Sequence, residues 1–202
     1  DLADVFGTVA EGVKGRRAVE WRLVDAVYPT SQFKDRVARR AAELAVSSDR
    51  PAHGPGITLG RLEPTVAGDD LEYSRVSLRI DRVSRVGTLM VRAPEAAQPT
   101  TPEQILEAGD QYWPLRAFRE LDDAICRLRL DEEEIGLVLL RTRPSSGTTE
   151  EAARTLVALD RTLASKKDDW LVNEIVLLMA RVLRRLDVTA RLSRVLEQAA
   201  QS

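Results

Sequence analysis

The stretch "YSRVSLRIDRVSRVGTLMVRAP", residues 73–94, decides the fold of this chain. In its first half Val76, Leu78 and Ile80 alternate with charged or polar residues, which is the period of a strand with one buried face. "DRVSR" then offers a turn, and "VGTLMVR" continues as a second apolar strand. The pattern predicts an antiparallel hairpin formed by residues 73–80 and 86–92.

A helix and a third strand are predicted downstream of the hairpin. "TPEQ" has the features of a helix start, with Thr101 as the N-cap, Pro102 at the first helical position and Gln104 reaching back. "IGLVLL" is a continuous apolar run, typical of a buried parallel strand. We therefore expect residues 135–141 to join the sheet that contains the hairpin.

A longer helix is predicted between these two elements, over residues 115–130. Its apolar positions recur at helical spacing and define one face, made of Leu115, Phe118, Leu121, Ile125 and Leu128. We expect Ile125 and Leu128 to lie against the sheet, beneath the "IGLVLL" strand.

Two further helices complete the pattern. Thr148, with Glu151 three residues later, is typical of a capped helix start, and residues 168–186 form a strongly apolar helix. From residue 73 the order is strand, strand, helix, strand, helix, helix. That order indicates an α/β layer architecture.

The first fifty residues have a different texture. Residues 30–46 read as a helix capped by Thr30 or Ser31, and the Ser-, Pro- and Gly-rich residues 47–70 read as a connection. The preceding stretch "AVEWRLVDAVYP", residues 18–29, is an apolar element that needs a preformed surface. We expect that surface upstream of Asp1.

Composition excludes several classes of function. The 202 residues carry a formal net charge of −2, which gives no electrostatic argument for binding nucleic acid or an anionic membrane. Apolar runs such as residues 175–180 are too short to span a bilayer. The single cysteine, Cys126, excludes an internal disulfide and fits a reducing compartment, so we expect a cytoplasmic protein.

The residues that could carry chemistry have simpler structural interpretations. His53, the only histidine, lies in a Gly/Pro connection and is expected to be an exposed loop residue rather than a catalytic base. Cys126 would need a nearby histidine to act as a nucleophile, so a partly buried structural thiol is favoured. Asp122 and Asp123 point about 100° apart on a helix and do not converge; one is expected to pair with Arg119 or Arg127.

Charged and aromatic clusters are interpreted in the same way. The acidic run 132–134 is expected to be solvated, and the basic helix end formed by Arg181, Arg184 and Arg185 suits the helix dipole, with a nucleotide phosphate as the alternative. Trp113 and Trp170 are expected to be packing anchors. "HGPG", residues 53–56, lacks the flanking strand and helix of a phosphate loop, and no metal-ligand spacing is present.

Three stretches carry a resemblance to the crotonase (enoyl-CoA hydratase) superfamily. "AEGVKGRRAVEWRLVDAVYP", residues 10–29, resembles the C-terminal part of such a domain. Residues 73–94 resemble the first hairpin of a second one, and "WPLRAFRELDDAICRLRLDEEEIGLVLLRT" resembles its following helix and strand. The resemblance implies a partial crotonase-like α/β fold built from ββα units. Its implied parts are the C-terminal helical end of a first domain (1–46), a linker (47–70) and the N-terminal part of a second domain (71–202).

The combination of "SDRPA", "GPGI", "WPL", "RELDDAI", "EIGL", "WLV" and "LRRLDV", in this order, is similar to CoA-dependent lyases of aerobic benzoate degradation. This resemblance implies ring opening of an oxygenated (dihydrodiol or epoxide) benzoyl-CoA, with release of formate and an aliphatic CoA semialdehyde. The expected partner is the CoA-thioester substrate itself, with no further cofactor, no metal, no nucleic acid and no membrane, in a homo-oligomer. A non-catalytic crotonase-derived structural or oligomerisation module is the alternative.

The sequence departs from the family pattern at three places. Arg22 stands where the family has Gly before Leu-Val-Asp, which puts the close turn there in doubt. After "LVLLRT" an active crotonase domain would have a Gly-rich oxyanion loop, whereas "RPSSGTTEE", residues 143–151, has only Gly147. The sequence diverges after Glu197. Catalytic and cofactor-binding residues are therefore unknown, and the catalytic ones are expected upstream of Asp1.

Overall fold

The structure, a computed structural model, describes residues 5, 7–8, 10–49, 53–187 and 197–198. The chain divides into two compact units, Asp1–Pro55 and Gly56–Ser202. The division lies inside the predicted connection and leaves its second half with the second unit. Every helix among the described residues is too short or too polar to cross a membrane.

The first unit contains two described helices, α1 (Arg16–Glu20) and α2 (Thr30–Val46). The helix predicted over 30–46 is confirmed, but its predicted cap is wrong. Thr30 is already helical, the N-cap is Pro29, and no side chain caps the helix. The proline supplies φ −56°, which leads the chain into the helix without a capping hydroxyl.

Helix α1 ends in a Schellman motif that is centred on Arg22. The Leu23 amide donates to the Ala18 carbonyl and the Arg22 amide donates to Val19, both at 2.9 Å. Arg22 has φ 57°, the left-handed conformation in which glycine is favoured. The close turn therefore forms despite the missing glycine, at the cost of holding an arginine in a disfavoured conformation.

The second unit is built on one mixed sheet. Its strands follow one another in chain order, antiparallel from the first to the fourth and parallel from the fourth to the sixth. They are β1 (Thr65–Ala67), β2 (Asp70–Glu72), β3 (Val76–Asp81), β4 (Val86–Arg92), β5 (Leu137–Arg143) and β6 (Glu197–Gln198). The predicted hairpin, β3–β4, and the predicted parallel strand, β5, are confirmed.

Strands β1 and β2 correct the predicted connection over 47–70. They pair through a two-residue turn, with Ala67 opposite Asp70 and Gly68 at φ 63°. Such turns need a positive φ, which glycine adopts without strain. The glycine and the two aspartates of "AGDD" suggested a loop, but they form the tip of a short hairpin.

Helices pack on one face of this sheet and against one another. They are α3 (Pro102–Ala108), a 3₁₀ turn (Gly109–Gln111), α4 (Trp113–Asp131), α5 (Thr149–Ser165) and α6 (Trp170–Asp187). The predicted cap at Thr101 is confirmed, since its hydroxyl accepts the Gln104 amide at 3.4 Å. Gln104 reaches back to the Thr100 amide instead of that of the cap.

The core lies between the sheet and helices α4 and α6. Leu78, Leu89 and Val138 from the sheet meet Ile125 and Leu128 of α4, as predicted from the helical spacing. Strand β5 is buried on this face only, and Val138 is its one fully buried residue. The continuous apolar run in the sequence therefore suggested a more complete burial than β5 has.

The two tryptophans assigned as anchors differ. Trp113 is buried, and its indole N–H donates to the Arg92 carbonyl at 3.0 Å. Trp170 is 40% exposed, so its assignment as a packing anchor is wrong. As the first residue of α6, it lies outside the face that Leu171, Val172 and Ile175 bury.

Candidate functional site

The loops after β4 and β5 meet at the end of the sheet where these two parallel strands terminate. The Ala93 amide donates to the Arg143 carbonyl at 2.9 Å, and the Ser145 hydroxyl donates to the Ala93 carbonyl. Carboxyl ends of neighbouring parallel strands are a common place for ligand sites in α/β folds. This end of the sheet includes residues 143–151, the loop that the resemblance to the crotonase superfamily singled out.

The carboxylate of Glu151 already occupies the start of helix α5. One of its oxygens accepts the Thr148 amide at 2.8 Å, and the Thr148 hydroxyl accepts the Glu151 amide at 3.2 Å. This is the predicted capping box. The Thr148 amide and hydroxyl both donate to the carboxylate, and these hydrogen bonds lower the pKa of Glu151. The anion-attracting end of the helix is thus neutralised by the chain's own carboxylate.

Gly147 permits this arrangement. Its φ is 71°, and a Cβ added there would lie 2.6 Å from the Glu151 carboxylate. The single glycine in the loop therefore serves the capping turn. It supplies the positive φ and makes room for the carboxylate, so the loop forms a self-capped helix start.

A buried carboxylate, Glu120 of α4, organises the junction between the helix and the sheet. It is fully buried and accepts the backbone amides of Arg75 at 2.6 Å and Val76 at 3.2 Å. Its other oxygen accepts from the Ser74 hydroxyl at 2.6 Å and from Arg116 Nε at 2.7 Å. The donors at residues 74–76 hold the start of β3 against α4.

The same network reaches the segment before β1. Arg116 lies 3.7 Å from Asp110, which accepts the Gly60 amide at 2.8 Å. Arg119 donates to the Gly60 carbonyl at 2.7 Å. The Gly60 amide and the Gln111 side chain hold the pKa of Asp110 below its usual value. With every carboxylate oxygen of Glu120 engaged by protein donors, this network is a structural one.

Glu120 is not among the site residues predicted from the sequence, although the residues around it carry a signal. Four residues after Arg116, it lies between Ala117, Leu121 and Ala124, all buried positions of α4. A carboxylate on the apolar face of a helix requires donors, because an unpaired buried charge is costly. Apart from Arg116, the donors lie at residues 74–76, more than forty residues earlier in the chain, and this spacing does not identify them.

Asp122 and Asp123 do not converge, as predicted. Asp123 accepts from Arg127 at 2.9 Å, which confirms one of the two pairings considered, and it also accepts from the Tyr73 hydroxyl at 2.6 Å. Asp122 accepts from Arg185 at 2.7 Å, a pairing that was not predicted. Arg185 is therefore paired with a carboxylate. This pairing weakens the alternative in which Arg181, Arg184 and Arg185 bind a nucleotide phosphate.

The remaining candidates have ordinary surroundings. His53 is exposed, and Cys126 is partly buried in a groove between α4 and α6, both as expected. The acidic run 132–134 was expected to be solvated, but Glu132 forms an ion pair with Arg82 at 2.9 Å. Arg82 also pairs with Asp69 at 2.7 Å. Within the described ranges, no group of three or more His, Cys, Asp or Glu side chains could hold a metal ion.

Comparison with known proteins gives one informative match. No family model matches the chain. The chain is 42% identical over 191 residues to the benzoyl-CoA-dihydrodiol lyase of Aromatoleum evansii. The match covers 95% of this chain but only 33% of the relative, so the chain spans about a third of that protein's length. Along nearly its whole length, therefore, the chain is a sequence relative of a benzoyl-CoA-dihydrodiol lyase.

Proposed function

We propose that the protein to which this chain belongs is a CoA-dependent lyase of aerobic benzoate degradation. It opens the ring of an oxygenated (dihydrodiol or epoxide) benzoyl-CoA and releases formate and an aliphatic CoA semialdehyde. The observation that carries this proposal is the 42% identity to a benzoyl-CoA-dihydrodiol lyase over 191 residues. The hairpin, helix and parallel strand of the second unit fit the ββα order of a crotonase-like domain.

Within this lyase we assign the second unit a supporting role. Crotonase chemistry needs backbone N–H donors free to stabilise a thioester oxyanion, and losing one such donor costs about 10²–10³ in rate. At the start of α5 the amides of Thr148 and Glu151 are both used in the capping box. The catalytic carboxylates and the free oxyanion donors then belong to another part of the lyase. The substrate is the CoA thioester, and we infer a cytoplasmic homo-oligomer without a further cofactor.

The purified chain tests this assignment when it is incubated with the oxygenated benzoyl-CoA and formate release is followed. The lyase of Aromatoleum evansii serves as the positive control. We expect no formate above background from the chain alone. Turnover near that of the control, abolished by a substitution such as Glu151→Gln, would place the active site in this chain and contradict the assignment.

The second candidate is a non-catalytic crotonase-derived module that supports oligomerisation. The self-capped loop at Gly147–Glu151 is the observation that favours it. The coding sequence upstream of Asp1 separates the two candidates. An in-frame crotonase domain with a Gly-rich loop and carboxylates supports the lyase, whereas a start codon directly before Asp1 supports the module.

A further inference from the structure

Helix α6 carries a stripe of exposed residues in addition to the face that it buries. Trp170 and Leu177 in this stripe are 40% and 54% exposed. Glu174, Arg181 and Arg184 continue the stripe and are also exposed. The five positions follow one another in alternating steps of four and three residues, which is the heptad spacing at which one helix presents a seam to another.

The stripe lies away from the core contacts of α6 and beside an open groove. The core contacts come from five buried residues of the helix, Leu171, Val172, Ile175, Val182 and Leu186. Glu174, Leu177 and Arg181 instead line a groove of about 680 Å³ between α6 and α4. The described elements of the second unit therefore leave the stripe accessible to a further helix.

The two halves of the stripe complement each other about Leu177. Trp170 precedes Leu177 by seven residues and Arg184 follows it by seven, while Glu174 and Arg181 lie one turn to either side. In two antiparallel copies of α6 related by a two-fold axis at Leu177, each Trp170 lies opposite Arg184 of the second copy. Each Glu174 likewise lies opposite Arg181 of the second copy. An indole ring attracts a guanidinium group, and a carboxylate binds one by charge-assisted hydrogen bonds. A parallel pair would instead place every charge opposite its own like.

We propose that α6 is a contact surface between two copies of this chain, packed antiparallel about Leu177. Two-fold dimers are the commonest oligomers, and their interface has to be self-complementary, as this stripe is. The proposal gives a surface to the homo-oligomer inferred above. It rests on α6 and not on the lyase activity, so self-association and formate release test the two proposals separately.

Sedimentation velocity of the full chain over a range of concentrations tests the proposal. A seam of one helix from each copy is small compared with a standard interface of about 1,600 Å², so we expect a weak dimer with a Kd between about 1 µM and 1 mM. Leu177→Arg places two like charges at the axis and should raise this Kd at least about tenfold. Leu183→Arg adds the same charge at a 47% exposed position of the same helix, outside the stripe, and should leave the Kd unchanged.

Charge reversal and cross-linking separate a two-fold seam from unspecific association. Glu174→Arg should raise the Kd about fivefold, and Glu174→Arg/Arg181→Glu should restore it, because the pair forms again with its charges exchanged. In a Cys126→Ser background, Leu177→Cys should form a disulfide between copies under mild oxidation, whereas Leu183→Cys should not. The proposal would be overturned by a chain that stays monomeric, which would leave the stripe to a different partner. Equal weakening by Leu177→Arg and Leu183→Arg, or a charge reversal without rescue, would also overturn it.

Discussion

Replacing Glu120 by alanine should destabilise the second unit more than any other change of a charged residue among those described. The carboxylate is fully buried, with four donors within 3.2 Å: the amides of Arg75 and Val76, the Ser74 hydroxyl and Arg116 Nε. Alanine leaves all four donors without this acceptor, and the Val76 amide among them belongs to a fully buried residue.

The expected loss follows from this geometry. Removing one partner of a buried, hydrogen-bonded ion pair costs about 3–5 kcal/mol, because the remaining groups stay buried and unpaired. Glu120→Gln keeps an oxygen for the two backbone amides and lets Ser74 accept, so Arg116 Nε is the donor that loses its partner. We expect it to cost about 1–3 kcal/mol. Glu133→Ala, an exposed change near the end of α4, should stay within about 0.5 kcal/mol.

Urea denaturation followed by tryptophan fluorescence measures these differences. Trp113 is buried in the second unit and bonded to the Arg92 carbonyl, so its emission reports on this core. The expected order of destabilisation is Glu120→Ala, then Glu120→Gln, then Glu133→Ala. A Glu120→Ala chain that unfolds at the same urea concentration as Glu133→Ala would show that the network contributes nothing and would refute the reasoning.

Three further outcomes are expected. Leu128→Ala should lower the free energy of unfolding by about 2–5 kcal/mol, since Leu128 is 5% exposed and its side chain lies 3.0 Å from where a Cβ added at Gly87 would be. Leu130→Ala, at a 75% exposed site on the same helix, should cost no more than about 0.5 kcal/mol, and equal urea midpoints would contradict the helix phase. Arg22→Gly should stabilise the end of α1 by about 1 kcal/mol and slow exchange of the Leu23 amide; unchanged exchange would show that the positive φ carries no strain. Burial raises the pKa of Tyr112 to about 12, and its hydroxyl has no partner among the described residues, so the stability present below pH 10 should fall as the pH rises towards 12. Tyr112→Phe should flatten that decline in urea titrations at alkaline pH and add about 1 kcal/mol to the free energy of unfolding. A steeper decline in the variant would count against this account.

Features that depend on neighbours along the chain were predictable from the sequence. The period-2 alternation of Val76, Leu78 and Ile80 predicts a strand wherever its partner lies, and the Thr148–Glu151 box closes within four residues. The exception at Pro29 is also local, since a proline with the right φ replaced the expected hydroxyl cap. The turn at Gly68 was misread because a two-residue hairpin tip and an open loop use the same residue types.

The sequence by itself determined the hairpin, the helix starts and the apolar face of α4, because backbone sterics, side-chain period and capping act over a few residues. Only the tertiary structure decided which distant groups satisfy each buried charge. Glu120 takes donors from residues 74–76, and Asp122 takes Arg185 from another helix. Burial makes such pairing obligatory, but several partners in the sequence would satisfy it equally, and the packing of α4 against the sheet and α6 selects among them.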